Sequence, residues 1–426
     1  MLVFGMYSKA MVFKCALGLQ TQRSVQDGPG ASGVAFGALS ELGPCLFAGS
    51  VSPKDGYAST TLNPYAWNAN ATVIFVDQPL AVGFSYGQRN ITHLKDAMDD
   101  LYAFLERVFA ARPDWGDRDF YVAGESYGGS YVPAIAYKIQ TMRQSSMSKL
   151  VAGTSNRTLS RINLRGIMVG NGVIDDMLQR KGTFEMGCLE DHGQGHILNQ
   201  SQCKQVSQAA VHCQRATEIC RASDYDLAVC RVSESFCMQN GWMLIRDTPW
   251  NPYDVRINCT MEPSLCEYPT PGLVEWLDSS TVRLALGADD DCRKFIGINF
   301  PMNIIFDKNG ETTRPSHPWV TSLLDQGIRV LIYAGNTDWL CTAAGMRHLV
   351  DGLSWHGSAS FQARPFLPLR RENIGLQQDK ERRVGYYKQH SSLTFVEVDN
   401  AGHFVPAEQP EVALAMINRW IAREIG

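Results

Sequence analysis

The chain has 426 residues, 45% of them hydrophobic and 19% charged, and carries a formal net charge of −4. That is globular composition without the positive charge that nucleic-acid binding leaves as a footprint, and no apolar run reaches the length of a membrane span. Nucleic acid and membrane therefore drop out as partners. The length admits two or three average domains or, as is common among α/β enzymes, one domain with a large insertion.

Residues 1–19 are fairly apolar, but Lys9 and Lys14 interrupt them, which makes a poor signal peptide. Residues 11–17 are the candidate for a first strand. Asp27-Gly28-Pro29-Gly30-Ala31-Ser32 is a glycine-rich turn whose N–H groups can face a developing negative charge, although any turn can look like this. Glu41-Leu42-Gly43-Pro44 follows. A continuous apolar run over 72–76 suits a buried parallel strand, and it ends in Asp77-Gln78-Pro79 at the carboxyl edge, where sites in such sheets gather. Leu94, Met98, Leu101, Phe104, Leu105 and Val108 give helical spacing over 93–111, closed by Pro113.

A short β-prone run over 118–123 then meets a helix predicted over 129–144, with apolar residues at Tyr131, Ile135 and Ile139. Between them lies Gly124-Glu125-Ser126-Tyr127-Gly128. This fits the G-x-S-x-G elbow, in which a serine is presented on a sharp strand-to-helix turn. Alone the pattern can be an ordinary surface turn; its place between strand and helix is what gives it weight. Residues 162–169 form the next strand, closed by Gly170-Asn171-Gly172. Regular alternation then stops until about Asn309 and returns with a strand over Arg329–Gly335 followed by Asn336-Thr337-Asp338. Residues 354–384, with two arginine pairs, read as a solvated excursion. A last strand over 393–398 leads to Asn400-Ala401-Gly402-His403, and an amphipathic helix over 408–425 closes the chain.

The alternation predicts an α/β fold with a mostly parallel sheet covered by helices on both faces. Residues 27–175 and 310–426 form its core, 176–309 an inserted cap, and 1–26 an N-terminal segment of different character. Eight of the twelve cysteines fall between Cys188 and Cys266, which marks the cap as disulfide-stapled. No Cys-x-x-Cys pair exists, so no metal is expected there, and nothing in the chain calls for a cofactor. Asn70, Asn90, Asn156, Asn199 and Asn258 open Asn-x-Ser/Thr sequons, which agrees with an oxidising, glycosylating compartment. The expected location is the secretory pathway, ending extracellularly or in a vacuolar or lysosomal lumen.

A serine hydroxyl becomes a useful nucleophile when an imidazole takes its proton and a carboxylate fixes the imidazole's tautomer. Ser126, Asp338 and His403 occur in the nucleophile, acid, base order of α/β-hydrolases, each in a loop at a strand end. Of the nine histidines, His403 alone is preceded by a strand and Ala-Gly and followed by a closing helix.

Four blocks in order resemble the serine carboxypeptidases: Gly124-Glu125-Ser126-Tyr127-Gly128-Gly129; residues 68–79 with Gly83-Phe84-Ser85-Tyr86; Tyr333-Ala334-Gly335-Asn336-Thr337-Asp338; and Ala401-Gly402-His403-Phe404-Val405-Pro406. The similarity runs from about Gly28 to the C-terminus. It implies an α/β-hydrolase fold and an enzyme that releases C-terminal amino acids from peptides or proteins through an acyl-enzyme at Ser126. It also implies an oxyanion hole from the N–H groups of Gly28 and Tyr127, and a site for the substrate carboxylate at Gln26, Asp27, Glu41 and Glu125. The paired glutamates Glu41 and Glu125 would share a proton, which favours acid pH. Cys341 matches an unpaired thiol near the family's active site and Phe404 a wall of the leaving-residue pocket, although each has simple packing as its alternative. The family's spacing implies the disulfides Cys188–Cys203, Cys213–Cys237, Cys220–Cys230 and Cys259–Cys266; spacing alone would allow 105 connectivities.

Three features depart from the family. Asp27 stands where a glycine N–H would meet the substrate carboxylate, Ala31 removes the cysteine that would pair with Cys292, and only 26 residues precede Asp27. The last departure implies a sheet lacking its first strands unless residues 11–17 replace one. Two alternatives to the hydrolase follow: an acyltransferase using the same machinery, or a relative whose catalysis is impaired by Asp27 and the missing strands. Substrate side-chain preference and oligomeric state are not legible.

Overall fold

The computed structural model describes residues 14–21, 29–51, 58–151, 162–190, 195–259, 272–292 and 294–425. The strands in chain order are β1 (Lys14–Thr21), β2 (Cys45–Val51), β3 (Ala58–Leu62), β4 (Ala71–Phe75), β5 (Phe120–Ser126), β6 (Leu164–Gly170), β7 (Trp250–Asn251), β8 (Asp254–Asn258), β9 (Arg329–Gly335), β10 (Leu367–Arg370), β11 (Arg383–His390) and β12 (Leu393–Val398). Eight of them form one sheet in the order β10-β11-β12-β9-β6-β5-β1-β4. It is parallel from β4 to β12 and antiparallel at β11 and β10.

Successive side chains of a strand point to opposite faces, and the apolar runs read as buried strands feed two separate cores. Val330, Ile332 and Ala334 of β9 join one, together with Leu101, Leu105, Ile135 and Ile139 of the helices Leu94–Ala111 and Gly128–Val151. Leu331 and Tyr333 join the other, against Met416, Ile417 and Trp420 of the closing helix Pro410–Ala422. Each fully buried side chain of this kind contributes roughly 1.5–3 kcal/mol of transfer free energy. Burial on both faces is what holds the strand ends at fixed positions.

The N-terminal segment does supply a strand. β1 lies inside the sheet, with Cys15 opposite Thr72 of β4 and Phe120 of β5, so four of the seven residues proposed as a replacement strand, 14–17, are in it; residues 11–13 lie outside the described residues. The reading of 354–384 as a solvated excursion is corrected: β10 and β11 extend the sheet, and Arg371 is buried, donating to Gln378 O and to Glu411. β11 and β12 are joined by a two-residue turn with Ser391 at φ +50°, a hairpin hidden in sequence by the charges around it.

Between β6 and β9 no described residue adds to the large sheet. The chain instead forms the antiparallel helices Gln200–Ala222 and Leu227–Gln239, tied together by Cys213–Cys237 and Cys220–Cys230, with Cys188–Cys203 anchoring the first to the preceding turn. Cys259 is also disulfide-bonded; its suggested partner Cys266 lies outside the described residues. Cys45 and Cys292 are free thiols. The small hairpin of β7 and β8 completes this region.

Candidate active site

Ser126 is the last residue of β5 and has φ +58°, left-handed backbone that a non-glycine residue adopts only where its surroundings impose it. Val173 N–H donates to its carbonyl at 2.8 Å, and the helix Gly128–Val151 departs at once. The strand therefore runs through the elbow, beyond the predicted end at 123. Two strands away, β9 ends and Asp338 follows; one further, β12 ends and His403 follows. All three are fully buried.

Asp338 accepts from every direction. Oδ2 takes His403 Nδ1 at 2.8 Å, Asn171 Nδ2 at 2.7 Å and Cys341 N–H at 3.2 Å, while Oδ1 takes Leu340 N–H at 2.8 Å. The hydrogen bond to Nδ1 leaves Nε2 as the imidazole's reactive nitrogen. His403 Nε2 and Ser126 Oγ, the atoms that a proton transfer would join, are both buried without a hydrogen-bond partner among the described residues. Such contacts commonly tighten only when substrate is bound.

Asn171 is the member that sequence reading missed. It follows β6, between the elbow strand and β9, with φ +39°, a conformation asparagine tolerates better than most residues. Its amide oxygen accepts Gly335 N–H at 3.2 Å while its Nδ2 holds Asp338, so it sets the orientation of the Asp338 carboxylate from the neighbouring strand end. The available signal was its place after a buried strand, between two glycines.

Asp338, Cys341 and His403 have their ligand atoms within 4.8 Å of one another. That constellation could suit a metal ion, but Asp338 and His403 already meet at hydrogen-bond distance. Phe404 is buried, stacked on Tyr253 at 5.6 Å and edge-on to His403 at 5.2 Å. Tyr127 is also buried, its hydroxyl donating to Glu311 O at 2.9 Å. Gln26, Asp27 and Gly28 lie outside the described residues.

The downstream side of their loop is firmly held. Asn299 N–H donates to Gly30 O and Ser32 N–H to Gly297 O, each at 2.8 Å. The Asp77 carboxylate gathers Ser32 Oγ at 2.5 Å, Val34 N–H at 3.0 Å and Phe84 N–H at 2.9 Å. Burial pushes Asp77 above the usual carboxylate range, with those donors working against the rise.

Glu41 ends the helical segment Gly33–Glu41, and Glu125 precedes the elbow serine; both are buried. The Tyr333 hydroxyl is held well above its ordinary pKa by burial, then by the charges of Glu125 and Glu41. The ring reaches across the sheet over Gly170, where an added Cβ would come within 2.4 Å of Cζ and 2.5 Å of Oη. Gly170→Ala is expected to displace Tyr333 and to cost roughly 1–3 kcal/mol as overpacking, read as a lower urea midpoint. An unchanged midpoint would show that the ring moves freely.

Of the sequon asparagines, Asn70, Asn90, Asn199 and Asn258 are exposed, and Asn156 lies outside the described residues. No helix among the described residues is long and apolar enough to cross a membrane.

Compared with known protein families, residues 25–423 match the one described as serine carboxypeptidase. Among curated proteins, the chain is 34% identical over 401 residues to carboxypeptidase Y homolog A of Emericella nidulans, covering 93% of this chain and 66% of the relative. It is also 34% identical over 399 residues to the protein of that name from Coccidioides posadasii, covering 93% and 68%. The chain thus spans about two thirds of the length of these relatives. Among solved structures, it superposes with a TM-score of 0.76 and 22% identity on Kex1(delta)p, a prohormone-processing carboxypeptidase of Saccharomyces cerevisiae, covering 97% of this chain and 83% of that one. The fold is that of the α/β-hydrolases.

Proposed function

The chain belongs to the serine carboxypeptidase family, and from that premise we propose that it removes single amino acids from the C-termini of peptides or proteins, with Ser126 as nucleophile, His403 as base and Asp338 as its orienting acid. The observation that carries the reading is the buried Asp338–His403 hydrogen bond of 2.8 Å, two and three strand ends away from a serine strained into the elbow conformation. His403 Nε2 takes the proton from Ser126 Oγ as Oγ attacks the scissile carbonyl. The oxyanion is received by the N–H groups of Tyr127 and Gly28; His403 then protonates the leaving amine, and water releases the acyl group by the reverse sequence.

Specificity for a chain end comes from Glu41 and Glu125, together with Gln26 and Asp27. Both carboxyls are buried, which disfavours their ionised forms, so one keeps its proton and donates to the substrate carboxylate. This makes acid pH the working range. Passage through the secretory pathway is supported by the disulfides of the cap region and by the exposed sequons.

An organophosphonate is expected to label Ser126, and a blocked dipeptide to release its C-terminal residue at acid pH. Absence of labelling in folded protein would sink the reading. Glu125→Ala is expected to reduce kcat/KM on the blocked dipeptide by about 10- to 100-fold, the worth of one hydrogen bond to a charged group. An ester substrate lacking a free carboxylate should be hydrolysed nearly as before. Equal losses on both substrates would place Glu125 in packing rather than in carboxylate recognition.

A further inference from the structure

The hairpin of β7 and β8 comes from the segment inserted between β6 and β9, yet it touches both loops that carry the acid and the base. Trp339 N–H donates to Pro252 O at 3.1 Å, Val255 N–H to Thr337 O at 3.0 Å and His403 N–H to Tyr253 O at 2.7 Å. It sits so close to the base loop that a Cβ on Gly402 would come within 2.3 Å of Tyr253 O. The two amides beside that of His403 go elsewhere: Gly402 N–H donates to Glu408 Oε2 at 2.7 Å and Phe404 N–H to Glu408 Oε1 at 3.3 Å. Three consecutive N–H groups centred on the base are thus all held, two of them by one carboxyl.

That carboxyl is itself tied to the hairpin. Arg256 donates through Nη2 to Glu408 Oε2 at 2.8 Å, through Nη1 to Asn400 O at 2.8 Å, and through Nε to both oxygens of Asp254 at 2.8 and 3.0 Å. The side chains of Asp254 and Glu408 are 4% and 9% exposed, too little for water to replace these bonds. We propose that Glu408 is a positioning residue for His403, clamping the backbone on either side of the imidazole, and that Arg256 and Asp254 lock this clamp to the inserted hairpin. The assignment rests on His403 being the catalytic base.

The charges agree with the geometry. Burial, opposed by the Gly402 N–H, and then the neighbouring Asp254 push Glu408 up to about 8. Burial also works against the charge of Asp254, but Arg256 holds that carboxyl below its ordinary value. Among the described residues, Asp254 and Arg256 of the hairpin are the charged side chains acting most strongly on Glu408. Because the folded value lies above the ordinary 4.5, the stability tied to this proton is complete below about 4.5 and is lost as pH rises to about 8. The clamp is thus most secure in the acid range.

The test compares wild type, Glu408→Ala and Glu408→Gln on a blocked dipeptide, alongside Ser126 phosphonylation rates and the proton NMR resonance of His403 Nδ1–H. Wild type is labelled first: if it does not react, the catalytic reading fails and this assignment with it. Glu408→Ala is expected to lower kcat about 100-fold, the scale of a sub-ångström to 1 Å misplacement, with KM within about twofold and the Nδ1–H resonance broadened. Glu408→Gln, which keeps the volume and one acceptor, should lose about tenfold in kcat and should be read alone if the alanine variant does not fold. Wild-type labelling together with a kcat within twofold of wild type in the folded variants would overturn the assignment, even if their melting temperatures fall.

Discussion

Ser126→Ala is expected to lower kcat on a blocked dipeptide by about 10⁶-fold while leaving KM and folding almost unchanged. The size follows from the chemistry, since without Oγ no acyl-enzyme forms and only binding and oxyanion stabilisation remain. The neutrality of folding follows from the structure. Ser126 Oγ has no hydrogen-bond partner among the described residues, so its removal orphans nothing, and the β-carbon that must bear the left-handed backbone is retained. Labelling by an organophosphonate should vanish with the activity. A variant that keeps peptide hydrolysis within tenfold of wild type would show that another residue is the nucleophile.

Asp338→Asn is expected to lower kcat by about 10⁴-fold. The wild-type carboxylate accepts three bonds at Oδ2 and one at Oδ1, all from donors. An asparagine brings an NH₂ to one of those positions. Turned toward Oδ2, it opposes Asn171 Nδ2 and Cys341 N–H and forces His403 into the wrong tautomer; turned toward Oδ1, it opposes Leu340 N–H. Either way the imidazolium formed during proton transfer loses its counter-charge. The loss should appear in kcat and in the phosphonylation rate of Ser126 together, with unchanged KM. A loss below tenfold would remove Asp338 from the catalytic group.

The strands that deliver these residues were legible because they are buried on both faces and read as unbroken apolar runs, and Arg329–Gly335 and Leu393–Val398 coincide with their predicted bounds. Boundaries drifted where local signal fades. The helix after the elbow continues to Val151 through Gln144, Ser145 and Ser146, which carry no apolar periodicity. β10 and β11 were hidden because Arg370, Arg371, Arg382 and Arg383 look solvated, whereas Arg371 reaches a buried position and Arg383 Nε pairs with Asp399 at 2.8 Å. Ser126, Asp338 and His403 could be read from motif and order. Asn171, Arg256 and Glu408 could not, since the contacts that bring them to the site, Asn171 to Asp338 and Arg256 to Glu408, join residues far apart in sequence.

The position of β1 also bears on how the chain reaches this state. It is synthesised well before its two neighbours, β4 and β5, and its last rung sets Thr21 opposite Ser126 itself. Contacts of such long range form slowly, and until both partners exist the segment has two unsatisfied edges open to other chains. Its insertion completes the ladder alongside the elbow, so the rate of maturation of activity should follow this late docking step, and crowded or hurried refolding should yield aggregates in preference to a soluble but inactive protein.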